Sequence, residues 1–418
     1  MSNNHICTLD IGSSKIVACL AQIKKKQISN IFFETIPSKG VKRGVVCDSI
    51  ELVSVIGRVL KNLKNKSGTK IKSIYANISG QDILTKHSRA IIPLAERGNK
   101  VISVTDIFKV NEQARILGSS LEEEIIHQIP FSYSIDSRSN ILNPIGLYSH
   151  RLEVDLFLIY GKLSSMQSLN RVINQAGYEI KGLFFSGLAT SRIVFNRDFK
   201  EGLNLLCDIG SDVTELVFFS DGILRDIKIL PLGGDDLSQQ LAEELKIPFE
   251  LAEEVKRSFG LIGDYGLLRE NKEILIKKNN IYRPIQQKTI TDLLTLKAKS
   301  ICAKIKEAVE KNTACDQINN FVVVGRTILN EGFIESLESS LGISVKLGRI
   351  ADPSIIPLMN KDSAILSQQY LNYITPLGMV YEAMQENRLA IQQTVRQPSK
   401  NHFSRVINRA KEIYQEYF

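Results

Sequence analysis

The sequence predicts an α/β protein built from two related halves around a shared anionic ligand, with a small α/β insertion and an amphipathic C-terminal helix. Three observations predict this. The tetrapeptide Asp-Ile-Gly-Ser occurs twice in one setting, at Asp10–Ser13 and at Asp208–Ser211. Between the copies, residues 83–162 change character. Beyond a polar stretch, apolar residues return at the 3,4 spacing of a single helix face.

Each copy of the repeat follows a short apolar run, His5–Leu9 or Leu203–Cys207, and precedes a second, Ile16–Ala21 or Glu215–Phe219. A polar turn (Lys24–Gln27; Ser220-Asp221-Gly222) and a third run (Ile28–Phe33; Ile223–Leu230) complete each block. The expected element is strand, turn, strand, turn, strand. Gly12 and Gly210 are expected to use backbone angles closed to other residues. Successive amides in such a turn form a nest for anions. Ser13, Ser14 and Ser211 add hydroxyl donors, and Lys15 adds a positive charge. Asp10 and Asp208, at the strand ends, are suited to hold the waters of a Mg²⁺ accompanying a nucleotide phosphate. An ordinary hairpin turn explains either copy alone; the matched frame of the two favours a phosphate clamp. No GxxxxGKS/T loop occurs.

At 418 residues the chain is long enough for two to four units, and 43% hydrophobic content is that of a folded globular protein. The net charge of +8 raises nucleic acid or an anionic membrane as partners. The lysines are scattered, without the interleaved aromatic platforms of a single-strand binder, so no nucleic-acid partner is expected. Cys7, Cys19, Cys47, Cys207, Cys302 and Cys315 show no CxxC pairing, and the five histidines form no ligand pattern. No secretory signal is read at the start, and no apolar stretch approaches the roughly 20 residues that cross a bilayer. A reducing cytoplasm is the expected compartment.

The first unit spans 1–82 plus 163–198. It holds the first repeat block, a helix around Ser49–Lys64 with Leu52, Val53, Ile56, Val59, Leu60 and Leu63 on one face, and a strand at Ile71–Ser79. The insertion, 83–162, reads strand (Ile83–Pro93), helix (Val104–Leu117), then Ile125–Ile135 and Arg151–Tyr160. Helical periodicity follows at Met166–Ala176 and Ala189–Phe195. The second unit spans 199–235 plus 299–386 and includes the buried run Phe321–Val324 before Gly325. Residues 236–298 read as a small outer subdomain with helices at Asp236–Leu245 and Phe249–Phe259 and the start of a longer helix, about Ile290–Lys311. Residues 387–400 are polar, contain Pro398, and read as a linker.

In the tail, 401–418, Phe403, Val406, Ile407, Ala410, Ile413, Tyr414, Tyr417 and Phe418 share one helix face. Lys400, Arg405, Arg409 and Lys411 lie on or beside the other. Such a helix either docks on its own domain or lies on an anionic lipid surface. Each basic residue near such a surface contributes on the order of 1 kcal/mol, so the anchor is weak and holds firmly only when copies are linked. That points to a polymer.

The run Leu9–Ile16 closely resembles the first phosphate turn of the FtsA family of actin-like bacterial division proteins. The insertion resembles it further, in His127-Gln128-Ile129-Pro130, Tyr133, Asp136 and Asn143-Pro144-Ile145-Gly146-Leu147. So do Ser186–Ser191, Ala252-Glu253-Glu254-Val255-Lys256 and the tail. The resemblance implies an actin-like duplicated two-domain fold around ATP and Mg²⁺. It implies that Gly12, Ser13, Ser14 and Lys15 contact phosphates from one side, and Gly210 and Ser211 from the other. It places Gly233 and Gly234 beside the γ-phosphate, Glu253 and Lys256 toward ribose and base, and Gly325 and Arg326 at the adenine. From the residues alone, Glu253 and Lys256 read equally as an i,i+3 surface ion pair.

The chain departs from the family pattern twice. Where the family continues DIGGGT, Asp212 adds negative charge near the phosphates and Val213 lacks a hydroxyl. Where it has Gly-Gly-Gly/Ala, Arg326 stacks on the base or obstructs it. No general base is assigned, so the expected role is structural, with at most weak ATP hydrolysis. The resemblance implies self-assembly into filaments, binding of the FtsZ C-terminal tail, recruitment of later division proteins, and a place on the cytoplasmic face of the inner membrane at the septum. The rivals are a pilus or secretion assembly adaptor, a small-molecule kinase, and a chaperone ATPase of the same fold.

Overall fold

The computed structural model describes residues 4–95, 98–136, 138–195, 199, 201–264, 272–278, 281–359 and 368–396. Its two halves repeat one topology. In the first, the antiparallel strands Gln27–Pro37, Lys15–Lys24 and Asn4–Ile11 continue into the parallel strands Ser73–Ile78 and Glu179–Phe185. In the second, Ile223–Leu230, Thr214–Ser220 and Leu203–Ile209 continue into Ile318–Val324 and Val345–Leu347. The registers also match. Asp10 pairs with Val17 and Ile11 with Ile16, as Asp208 pairs with Glu215 and Ile209 with Thr214.

The central strands are apolar on both faces because both faces are covered. Leu205, Leu206 and Cys207 are consecutive and fully buried. On the first sheet, helix Ser49–Ser67 buries Leu52, Val55, Ile56, Val59, Leu60 and Leu63. Val53, expected on that face, is half-buried, and Val55 is buried instead. Asp48 caps this helix, its carboxylate accepting the Ile50 and Glu51 amides at 3.0 Å each.

The insertion is a four-stranded antiparallel sheet in the order Arg138–Ile141, Glu123–Ile135, Arg151–Lys162, Ile83–Pro93. Helix Val104–Gly118 packs Val110 and Ala114 against Leu152, Val154, Leu156 and Leu158, and Ser103 and Asp106 close its first turn reciprocally. Pro130 falls where the strand register shifts, which lets a proline sit within a sheet. His127 joins the insertion to the first half: its Nε2 accepts the Phe185 amide at 2.9 Å, and its ring stacks on Phe184. Burial pushes this imidazole down to about 4, so it is neutral.

The last helix among the described residues, Ile374–Arg396, packs on helix Ser186–Val194, where Thr375 and Thr190 share a hydrogen bond of 2.9 Å. Residues 387–396, read as linker, continue this helix. Leu389, Ala390, Gln392 and Gln393 are adequate helix formers, and the sequence of 387–396 holds neither proline nor glycine to oppose them. The amphipathic tail, 401–418, lies outside the described residues. The cysteines are free thiols, all buried except Cys47.

Candidate functional site

The duplicated strands bring both Asp-Ile-Gly-Ser turns to one cleft of ≈ 970 Å³, a size suited to a small-molecule ligand. Asp10, Gly12, Ser13, Ser14 and Lys15 line it from the first half. Asp208, Gly210, Ser211, Gly234, Glu253, Lys256, Gly325 and Arg326 line it from the second. Gly233 does not.

The turns work differently from expectation. Neither Gly12 nor Gly210 has positive φ. Glycine is favoured there by close approach: a Cβ would lie 3.1 Å from the Lys15 carbonyl oxygen and 2.9 Å from that of Val213, respectively. Those same carbonyls accept the Gly12 and Gly210 amides at 3.0 and 2.9 Å. The donors left for an anion therefore follow in sequence, and the hydroxyls of Ser13, Ser14 and Ser211 make no hydrogen bond among the described residues.

Gly233, expected beside a phosphate, instead donates its amide to Asp236 Oδ2 at 2.9 Å. A Cβ there would come within 2.5 Å of the Gly210 carbonyl, so Gly233 makes room for the turn. Gly234 donates to that carbonyl at 3.0 Å. Gly325 does take a left-handed backbone, φ +92°, and a Cβ there would strike the Ile209 carbonyl oxygen at 2.3 Å.

Charge is concentrated in the cleft. Burial pushes the Asp10 carboxyl up to about 7 and that of Asp208 up to about 6, in each case against the pull of Lys15. Burial likewise pushes the Lys15 ammonium down to about 8, opposed by Asp10. Lys15 Nζ donates to Asn372 of the C-terminal segment. Asn77 orients the first carboxylate, donating to Asp10 Oδ1 at 2.8 Å while its own Oδ1 accepts the Ile11 amide.

Glu253 and Lys256 form an ion pair of 2.6 Å, and Lys256 donates to the Gly234 carbonyl at 2.8 Å. Lys256 is only 6% exposed, so this is no surface pair. Burial opposes the charge of Glu253, but Lys256, Ser238 and Arg257 outweigh it and hold the carboxyl below its usual range.

The structure adds residues that the sequence did not single out. Glu215 lines the cleft in register with Asp208, and its Oε1 accepts the Ser79 hydroxyl of the opposite half at 2.6 Å. Its Oε2 is buried with no partner among the described residues, and burial next to Asp208 pushes its carboxyl up to about 8. Read in sequence, Glu215 opens an apolar strand; only the strand register brings it beside the turn. Asp212, expected to face phosphates, accepts the Arg43 amide across the cleft at 2.5 Å.

Two family models match the chain, one described as the SHS2 domain inserted in FTSA over residues 80–160 and one as cell division protein FtsA over 205–367. The chain belongs to the FtsA family. The FtsA of Borreliella burgdorferi is 27% identical over 353 residues, covering 83% of this chain and 85% of the relative. That of Bacillus subtilis is 25% identical over 391 residues, covering 93% and 86%. Among solved structures, the PilM-PilN type IV pilus biogenesis complex has a TM-score of 0.59 at 14% identity, covering 89% of this chain and 95% of that one. The ethanolamine utilization protein EutJ from Carboxydothermus hydrogenoformans has a TM-score of 0.51 at 17% identity, covering 90% and 89%. These last two are likenesses of fold alone. The chain is an actin-like cell-division protein with the FtsA insertion, which sets it apart from the pilus, kinase and chaperone rivals.

Proposed function

We propose that this FtsA-family chain holds ATP with Mg²⁺ between its halves, and that the bound nucleotide fixes the closed shape in which it polymerises at the septum. The observation that carries the reading is the meeting of both Asp-Ile-Gly-Ser turns, with Lys15, in one cleft. Lys15 and the serine hydroxyls supply positive charge and donors for phosphates. Arg326, exposed at the other end, and the Glu253–Lys256 pair frame the ribose and base.

The donor set fits Mg²⁺. Asp10 and Asp208, partly buried, and the buried Glu215 are three carboxyls held up by desolvation, one with an orphaned oxygen, an arrangement that a cation relieves. Among the described residues no three His, Cys, Asp or Glu side chains group closely enough to ligate an ion directly. Asp10 and Asp208 would therefore hold Mg²⁺ through water, the ion neutralising phosphate charge. The nucleotide is a structural ligand in this reading, with hydrolysis slow.

No helix among the described residues is long and apolar enough to cross a membrane. Attachment at the cytoplasmic face falls to the apolar face of 401–418, and the small outer subdomain receives the FtsZ tail, so that the polymer tethers the ring and recruits later division proteins. Equilibrium binding of a ribose-labelled ATP analogue tests the clamp: saturable, Mg²⁺-dependent binding is expected, reduced at least tenfold by Lys15→Ala. Capture of the chain by an immobilised FtsZ tail peptide tests the tether.

A further inference from the structure

One wall of the cleft runs continuously from the second phosphate turn to a buried amide. The Gly234 amide meets the Gly210 carbonyl, Lys256 meets the Gly234 carbonyl, and the Gly260 amide meets the Lys256 carbonyl at 2.9 Å. Beside Gly260, the Phe259 carbonyl accepts Gln287 Nε2 at 3.5 Å. Gln287 opens helix Gln287–Glu310 with its backbone amide tied to the Lys272 carbonyl at 2.8 Å. The side chain is therefore held at the far end of the wall from the phosphate turns. It lines the cleft, as do Leu261, Arg326 and Leu329, and is only 5% exposed. Its Oε1 nevertheless has no hydrogen-bond partner among the described residues.

A buried acceptor without a donor is costly, and a site that keeps one is built for a ligand that supplies the donor. With the phosphates at Lys15 and the serines, an extended nucleotide lying along this wall brings its base to Gln287. We propose that Gln287 reads the base: its Oε1 accepts the exocyclic 6-amino group of a purine and so selects adenine against 6-oxopurines. This rests on the nucleotide clamp proposed above. The Phe259 carbonyl, 3.5 Å from Nε2, favours this orientation of the amide over its reverse, in which two oxygens would face each other. A 6-oxo group would set acceptor against acceptor, and a purine unsubstituted at position 6 would leave Oε1 unpaired.

The test is displacement of a ribose-labelled ATP analogue from the full chain, with Mg²⁺, by ATP, inosine triphosphate and purine riboside triphosphate. The three share triphosphate, ribose and purine ring and differ at position 6, inosine also carrying a proton on N1; the unsubstituted purine keeps N1 as in ATP and isolates the 6-amino group. ATP is expected to bind roughly tenfold or more tighter than inosine triphosphate, with the unsubstituted purine between them. Gln287→Leu should bring the three within about twofold of one another. Equal affinities in the wild type, which needs no variant to fold, overturn the inference while leaving the clamp intact. So does an unchanged ratio in Gln287→Leu. Absence of saturable binding by any of the three instead removes the clamp, and this inference with it.

Discussion

Asp212 of the second half accepts a hydrogen bond from the Arg43 backbone amide of the first half, 2.5 Å across the mouth of the cleft. Beside it, Glu215 accepts the Ser79 hydroxyl. Arg43 and Ser79 lie on turns stacked backbone to backbone, with the Gln81 amide donating to the Arg43 carbonyl at 3.3 Å. Two acidic side chains of one half thus grip one paired corner of the other. Asp212 departs from the family's DIGGGT pattern, and its position makes it a latch between the halves.

The latch and the phosphate-repulsion readings of Asp212 predict opposite results. If the charge mainly repelled phosphates, Asp212→Gly would bind ATP more tightly. As a latch, the same substitution should leave ATP affinity unimproved and raise hydrogen exchange at the Arg43 amide about three- to tenfold, the equivalent of one modest hydrogen bond. Asp212→Asn keeps an acceptor oxygen and should retain wild-type protection. Tighter nucleotide binding with Arg43 protection unchanged would dispose of the latch.

Glu215 predicts a stability that falls as pH rises. Its folded carboxyl lies at about 8 against an ordinary 4.5, so between those values the folded chain holds a proton that the unfolded chain has released. Its contribution is full below 4.5 and is lost as pH climbs through 8. Asp10 and Asp208 act with the same sign between 3.8 and about 7 or 6. Urea unfolding of the nucleotide-free chain at pH 6 and pH 8.5 should show the loss. Glu215→Gln, uncharged at both, should reduce the difference; an undiminished slope in that variant would place the effect elsewhere.

The duplication and the insertion were legible in the sequence because each leaves a linear trace. The repeat is contiguous in each half, and helix Ser49–Ser67 shows its buried face at helical spacing. What escaped depends on register and on pairing between distant segments. Glu215 becomes a site residue only because strand Thr214–Ser220 pairs it with Asp208. Asn77 matters because a parallel strand ends beside Asp10. The sequence points to special backbone angles at Gly12 and Gly210, whereas the structure shows crowding by a carbonyl, which leaves no local mark that distinguishes it from a left-handed turn.

His127 predicts both a stability loss and a pH effect of opposite sign. His127→Ala removes the acceptor of the buried Phe185 amide and the ring stacked on Phe184, at a cost of about 1–3 kcal/mol for the unpaired amide alone. Because burial holds the folded imidazole at about 4 against 6.5, its contribution is present above 6.5 and lost as pH falls toward 4. Urea unfolding at pH 7 and pH 5 measures both. The variant should lie closer to wild type at pH 5 than at pH 7; an equal deficit at both would mean that the histidine never titrates in this window.

The tail makes the sharpest prediction about location. Removing 401–418 should abolish co-sedimentation with vesicles containing phosphatidylglycerol while leaving the urea transition of the remaining chain unchanged. Ile407→Glu places a charge in the apolar face and should do the same. The basic residues contribute on the order of 1 kcal/mol each near an anionic surface, so wild-type binding should weaken steeply with added salt and on pure phosphatidylcholine. A helix docked on its own domain predicts the reverse: no dependence on lipid charge, and a loss of folding stability on truncation. Because a single helix of this kind is a weak anchor, binding should also rise more than proportionally with protein concentration, as polymerisation links copies.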